Sequence, residues 1–341
     1  MKVLFVTPWY PSVKDTMSGL FVEKILLEAK RRGIDCRVIS SVNFFSFIKE
    51  FRMVMKSWEK PDLIHLHVTT KQGILPLLMK KFYGVPYIVT EHWSGYLDEN
   101  GDYLGLCNRF VIGKIYRWLT RKIISEASTV TAVSELLRRS MRKCGLNNVD
   151  FRVIHNVVDD VFDNVPDNTD ENEMSFLHVS CFSDRAKNVT GIIEAARILR
   201  DKGVNFKLTM VGDGPDFDKN KRLAVSYGLN DYVRFAGVLQ SEEVASEMSR
   251  HKCLILFSNF ETAAVVLQEA MSVGMKIIST PVGIAGEYEG RIKIVKPGDC
   301  LGLAEAMENV EKIHCKQKIS FSNVGNEYFA VYNEIIQRAC R

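Results

Sequence analysis

The chain has 341 residues, of which 46% are apolar and 25% charged, and a formal net charge of +4. That length exceeds one ordinary core and predicts two domains, while the balance of residues is that of a globular rather than a disordered or fibrous protein. No apolar window is long enough to span a bilayer, which excludes a chain built on membrane helices.

The first stretch, "MKVLFVTPWYPSV", has an apolar run too short for a signal peptide, and a cytoplasmic location is the expectation. "KVLFVTPWY" reads as a buried strand, followed by a loop holding Gly19 and the helix "FVEKILLEAKRRG", closed by Gly33. "CRVIS", "DLIHLHV", "YIVTEH" and "STVTAVS" are further short β-rich runs with helical patterns between several of them. This alternation predicts an α/β fold with a doubly wound parallel sheet over residues 1–158. The acidic segment 159–174 reads as a linker. The alternation restarts over 175–320 through "SFLHVSCF", "FKLTMVG", "VRFAG", "CLILFS" and "KIIST", giving a second Rossmann-like domain. Residues 321–341 form a last helix, expected to pack back on the first domain.

Charge is unevenly spread. Residues 1–150 hold 23 Lys and Arg against 14 Asp and Glu, a balance of +9, and the remainder hold 22 against 27, or −5. A basic first half predicts an anionic partner, either a phosphate-bearing substrate or a membrane surface, and no motif speaks for nucleic acid. "FFSFIKEFRMVMKSW" (44–58) places Phe44, Phe47, Ile48, Phe51, Val54, Met55 and Trp58 near helical spacing, with Lys49, Arg52 and Lys56 interspersed. It reads either as a helix packed on the sheet or as an interfacial helix docking on anionic lipid. Eight cysteines, scattered without a CxxC, argue against a disulfide framework or a zinc site. His65 and His67 share one side of a strand, but no third ligand is near them in sequence.

The segment "FETAAVVLQEAMSVGMKIISTPVG" (260–283) sets Glu261 and Glu269 at the ends of a small apolar run. A helix over 263–271 stopped by Gly274 would offer free amides at its tip to a phosphate. Eight residues of helix rise about 12 Å, so a nucleotide sugar could meet one glutamate at each end. "VGDGP" (211–215) is a turn and not a dinucleotide fingerprint: the third glycine is missing and Pro215 blocks the continuation.

Together, "SNFETAAVVLQEAMSVGMKIISTPVG", "MVGDGPDFDKNKRLAVSYGLNDYVRFAGVLQSEEVASEM" and "TAVSELLRRSMRKCG" with "VIHNVVDDVF" resemble the retaining GT-B-fold glycosyltransferases of family 4. The resemblance covers most of the chain and implies a GT-B fold: two Rossmann-like doubly wound parallel-sheet domains facing a central cleft. It implies transfer of a sugar from a nucleotide-diphosphate sugar to a glycan or lipid-linked hydroxyl acceptor, in cell-surface polysaccharide or glycolipid synthesis. No cofactor or divalent metal is implied, and no protein nucleophile. Residue by residue, Glu261 would contact the transferred sugar, Glu269 the ribose, and the amides of Ala263, Ala264, Val265 and Val266 the sugar and diphosphate. The family's usual Phe-Gly is replaced here by Ala263-Ala264. Lys187 matches the phosphate-clamping lysine. Cys181 stands at the usual arginine position, leaving Arg185 as the replacement. His92 would approach the donor sugar, and Gly19 would let the diphosphate near the backbone. Peripheral contact with the inner membrane face is a further expectation. The competing readings are a nucleotide-sugar epimerase on the same fold and a catalytically silent nucleotide-sugar-binding protein.

Overall fold

The computed structural model describes residues 1–12, 18–41, 43–58, 60–97, 111–170, 172–288, 290–313 and 318–339. Two compact units emerge, Met1–Val157 with Asn323–Arg341, and Val158–Ser322. Cys107, Cys315 and Cys340 lie outside the described residues, and Cys36, Cys144, Cys181, Cys253 and Cys300 form no disulfide among the described residues.

The first unit holds β1 (Lys2–Val6), β2 (Asp35–Ile39), β3 (Leu63–His67), β4 (Tyr87–Glu91), β5 (Thr129–Ala132) and β6 (Phe151–Val153). They form one sheet in the order β2-β1-β3-β4-β5-β6, parallel throughout. Every residue of β3, β4 and β5 is buried. Helices cover both faces of such a sheet, so even the polar residues of these strands, among them His65, His67, Thr90, Glu91 and Thr131, are buried. The helix Gly325–Ala339 belongs to this unit: Tyr328 and Tyr332 are fully buried, and the Tyr332 hydroxyl lies 2.6 Å from His65 Nδ1.

The second unit holds β7 (Ser175–Val179), β8 (Lys207–Val211), β9 (Val233–Gly237), β10 (Cys253–Leu256), β11 (Lys276–Ser279) and β12 (Lys293–Ile294). Its order is β12-β11-β10-β7-β8-β9, again all parallel. Phe176, Ile192, Ile193, Leu199, Phe257 and Leu303 fill its core. Residues 158–174 are part of this unit, with Phe162 and Val165 buried in it.

Two edge strands, β6 and β12, escape the sequence reading, because three and two residues are too few for a periodic signal. The apolar stripe of segment 44–58 is turned largely inward. Phe47 and Trp58 are buried, Ile48, Phe51, Val54 and Met55 are half-buried, and Trp58 Nε1 donates to Asp35 Oδ2 at 2.6 Å. The exposed apolar residues of that helix are instead Phe45 and Met53.

In each sheet the winding direction reverses once, between β1 and β3 and between β10 and β7. Open α/β sheets bind ligands beyond the carboxyl ends of the strands at such reversals. The loops that follow these four strands contain most of the residues singled out from sequence.

Candidate active site

In the second unit the reversal point gathers the loops after β7 and β10. Ser180 N–H donates to Val211 O at 3.0 Å, and Gly212 N–H to Gly237 O at 2.7 Å. Gly212 and Gly214 have φ of 118° and 158°. A Cβ on either would fall on the carbonyl oxygen of Ser180 or Cys181. The glycines of "VGDGP" thus admit the chain's own loop 180–182. Behind that loop stands His178, buried, with Nδ1 2.9 Å from Ile255 O and Nε2 2.8 Å from Ser180 Oγ. Burial, and secondarily the charge of Lys187, lower its pKa to about 4, so the ring is neutral at neutral pH.

The single helical turn Asp184–Lys187 follows, and Asn188, in the left-handed region, redirects the chain into the helix Val189–Asp201. Asp184 fixes this corner, its backbone N–H donating to Asp216 Oδ2 and its own Oδ1 accepting from Thr190 N–H, both at 2.8 Å. The turn is strapped to the loop after β10, since Asn259 donates its N–H to Ala186 O at 2.7 Å and its Nδ2 to Arg185 O at 3.1 Å. Across this strap the Lys187 ammonium pairs with Glu261 Oε1, which also accepts from Ser258 Oγ at 2.9 Å. The Arg185 guanidinium is exposed and has no ion-pair partner among the described residues. Cys181 is exposed on the same loop.

The helix expected after Glu261 spans Val265–Val273, ends at Gly274 with φ 92°, and starts from Ala264 in the left-handed region with φ 60°. A non-glycine residue there is uncommon and held by its surroundings. Here the turn "PVG" supplies them: Gly283 N–H donates to Glu261 O at 3.2 Å and Ile284 N–H to Ala263 O at 3.1 Å. Ala263 and Ala264 are buried, Val265, Val266 and Glu269 half-buried. The structure therefore brings Lys187, Arg185, Glu261 and the tip of this helix together in one unit. Ser258 and His178 were not foreseen. Ser258 stands three residues before Glu261 directly after a β-run, which is the only sequence signal either left.

Gly19 and His92 lie in the first unit. Gly19, φ 70°, caps the helix Leu20–Arg31, and a Cβ there would fall on the Trp9 carbonyl oxygen. The room its missing side chain leaves is taken by the chain's own backbone. Two residues on, Phe21 stacks on His92 with ring centroids 4.1 Å apart, and His92 Nε2 lies 3.2 Å from His67 Nδ1. Burial lowers the His92 pKa to about 3, leaving a neutral imidazole. The rings of the pair noted in sequence, His65 and His67, lie tilted with centroids 3.9 Å apart, and His65 is committed to Tyr332 and to Thr90 Oγ1 at 2.6 Å. Among the described residues no group of three potential ligands could hold a metal ion. Next to His92, the buried Glu91 accepts from Thr69 N–H at 2.8 Å and from the Tyr96 hydroxyl at 3.2 Å.

Comparison with known proteins accounts for nearly the whole chain. Residues 162–322 match the family described as glycosyl transferases group 1, and residues 18–162 match glycosyltransferase family 4. The chain is 28% identical over 258 residues to the N-acetyl-alpha-D-glucosaminyl L-malate synthase of Bacillus anthracis, covering 72% of this chain and 62% of that protein. It is 25% identical over 303 residues to the alpha-D-kanosaminyltransferase of Streptomyces kanamyceticus, covering 80% and 77%. The crystal structure of Anabaena Alr3699/HepE in complex with UDP has the same fold, with a TM-score of 0.69 at 16% identity over 100% of this chain and 98% of that one.

Proposed function

We propose, proceeding from the fact that this chain belongs to the GT-B glycosyltransferases of group 1 and family 4, that it is a retaining hexosyltransferase. It moves a sugar from a nucleotide-diphosphate sugar to a hydroxyl of a glycan or lipid-linked acceptor, in cell-surface polysaccharide or glycolipid synthesis. The observation that carries this reading is the pairing of Lys187 with Glu261 at the sheet reversal of the second unit, beside the tip of the helix Val265–Val273.

In this reading the Lys187 ammonium leaves Glu261 for the diphosphate and stabilises the charge that gathers there as the sugar–oxygen bond breaks. Arg185, exposed on the same turn, supplies a second cation. The amides of Ala263, Ala264, Val265 and Val266 and the positive end of the helix receive the phosphates and sugar. Glu261, released, accepts hydrogen bonds from sugar hydroxyls, and Glu269 does so from the ribose. The new bond forms on the face that the diphosphate leaves, and the acceptor proton passes to the departing phosphate oxygen. No metal ion or protein nucleophile is needed for that step. The protein works in the cytoplasm, peripherally on the inner membrane face.

A thermal-shift screen against UDP-, GDP- and ADP-sugars identifies the donor, and proton NMR of the product reads the anomeric configuration. Glu261→Ala should cut transfer by about 100-fold or more, the order seen when one transition-state contact is lost. Nucleoside diphosphate binding should persist in that variant. Turnover left nearly intact would remove Glu261 from its assigned role, and an inverted product would end the retaining assignment.

A further inference from the structure

The first unit has one face whose solvent side combines aromatic side chains with a large excess of cations. The connections β2 to β3, β3 to β4 and β4 to β5 all step the same way across the sheet order β2-β1-β3-β4-β5. Right-handed crossovers place their helices, Phe44–Ser57, Ile74–Tyr83 and Val111–Glu126, on a single face. The step from β1 to β2 runs the other way and puts the helix Leu20–Arg31 opposite, where Arg32 lies 4.4 Å over the Phe329 ring of the last helix. Side chains join neighbours on the first face: Lys80 Nζ donates to Glu126 O at 2.6 Å, and the Tyr87 hydroxyl to Ile123 O at 2.7 Å.

Each of the three helices turns a large apolar side chain to water. Phe45 is 83% exposed, Phe82 68% and Trp118 63%, with Met53 and Ile115 also exposed. The same helices carry nine Lys and Arg against two acids, Glu50 and Glu126, a balance of +7. Glu50 is turned to its own loop, accepting from Ser40 and Ser41 N–H at 3.2 and 3.4 Å, and Glu126 is taken up by Lys122 at 2.6 Å. Lys49, Arg52 and Lys56 have no ion-pair partner among the described residues. An open depression on the first helix is bordered by Phe45, Ile48, Lys49, Arg52 and Met53, apolar groups framed by cations.

We propose that this three-helix face is the surface by which the protein docks on an anionic lipid bilayer, Phe45, Phe82 and Trp118 entering the headgroup region and the cations meeting lipid phosphates. Aromatic side chains that cost free energy in water are at home at that interface, and cations beside them add attraction to anionic lipid. The charge argues against the other occupants. A second copy would bring a like-charged face, which repels, and a nucleic acid would leave the exposed Met53 and Ile115 without apolar cover. The inference rests on the peripheral placement proposed above. Donor binding, measured on the same preparations, separates its failure from failure of the catalytic reading.

The test is co-sedimentation of the full chain with vesicles of phosphatidylcholine alone or mixed with phosphatidylglycerol, with tryptophan emission followed in parallel. Binding is expected only with phosphatidylglycerol. It should weaken as salt shortens the screening length from about 10 Å at about 0.1 M to about 3 Å at about 1 M. Lys49→Glu with Arg52→Glu should lower partitioning at least about 25-fold, from about five-fold per lost cation near the surface. Phe45→Ser with Met53→Ser should weaken it with charge unchanged, and Trp118→Phe should abolish the blue shift of emission. All variants should keep the thermal shift given by the donor nucleotide, which shows that they are folded. Equal binding to neutral vesicles, no binding to either, or charge reversal without effect would overturn the proposal. Capture by heparin without vesicle binding, or a dimer dispersed by Phe45→Ser, would overturn it in favour of a polyanion or of self-association.

Discussion

Lys187 and Glu261 neutralise each other across two loops, so under the proposed function a diphosphate would compete with a carboxylate for the same ammonium. Ser258 Oγ also holds Glu261, so in that reading the carboxylate would stay oriented for sugar hydroxyls once the lysine turned to the diphosphate. The spacing of Glu261 and Glu269 can be read from the chain; the use of Ser258 cannot, because it depends on the loop after β10 folding back on itself. Glu91 shows the same limit more sharply. Nothing in "YIVTEHWSG" separates it from a surface glutamate. Yet it is fully buried, its Oε2 has no hydrogen-bond partner among the described residues, and burial raises its pKa from 4.5 to about 7. Between those two pH values the folded chain holds a proton that the unfolded chain has released. Stability from this site is therefore full below 4.5 and declines as pH rises toward about 7, by about 1.4 kcal/mol per unit, or ~3 kcal/mol in all. Glu91→Gln keeps an acceptor for Thr69 and removes the titration. Denaturant unfolding at about pH 5 and about pH 8 should show the wild-type chain losing stability relative to this variant across the interval. A constant difference would show that Glu91 is ionised at both.

At the scale of elements, the proposed site depends on the left-handed start of the helix Val265–Val273, which the turn "PVG" braces. Gly283 has φ 55°, and a Cβ there would fall on the Ala263 carbonyl oxygen. Gly298 also has positive φ, 75°, with nothing within 4 Å of a built Cβ. Gly298→Ala should cost only the backbone term of about 1–2 kcal/mol and leave transfer unchanged. Gly283→Ala adds a collision with backbone, so it should cost about 3 kcal/mol or more and depress transfer by displacing Ala263 and Ala264. Unfolding curves and initial rates of the pair decide this; equal losses in both variants would show that the helix start does not depend on that turn. The helix itself was legible from its apolar run and Gly274. Its left-handed cap was not, since alanine seldom takes that region and the bracing of the preceding residues comes from the distant Gly283 and Ile284. Periodicity likewise located the helix Phe44–Ser57 and the inward stripe through Phe47, while Phe45 and Met53 off that stripe became the exposed apolar surface.

At the scale of the whole chain, two units with separate cores divide the labour of folding. The acidic remainder carries the Lys187–Glu261 pair, and the basic first half carries the helical face with its nine cations. The β-α alternation made this division legible, but the return of residues 323–341 to the first unit is written in side chains from far apart in sequence. Tyr332 reaches His65 Nδ1 at 2.6 Å, and His65 in turn reaches Thr90 and, through it, Thr131 at 2.7 Å. Tyr332→Ala deletes a fully buried aromatic side chain and orphans that network, which should cost about 3–5 kcal/mol. The cost should fall on the first unit. A chain of two units is not expected to unfold in one two-state step. Calorimetry should therefore show the variant lowering one transition, while donor nucleotide, by mass action on its own unit, raises the other. Nucleotide affinity by titration should change less than two-fold in Tyr332→Ala. If affinity instead collapsed along with stability, the two units would share one cooperative transition and the nucleotide site would depend on the last helix.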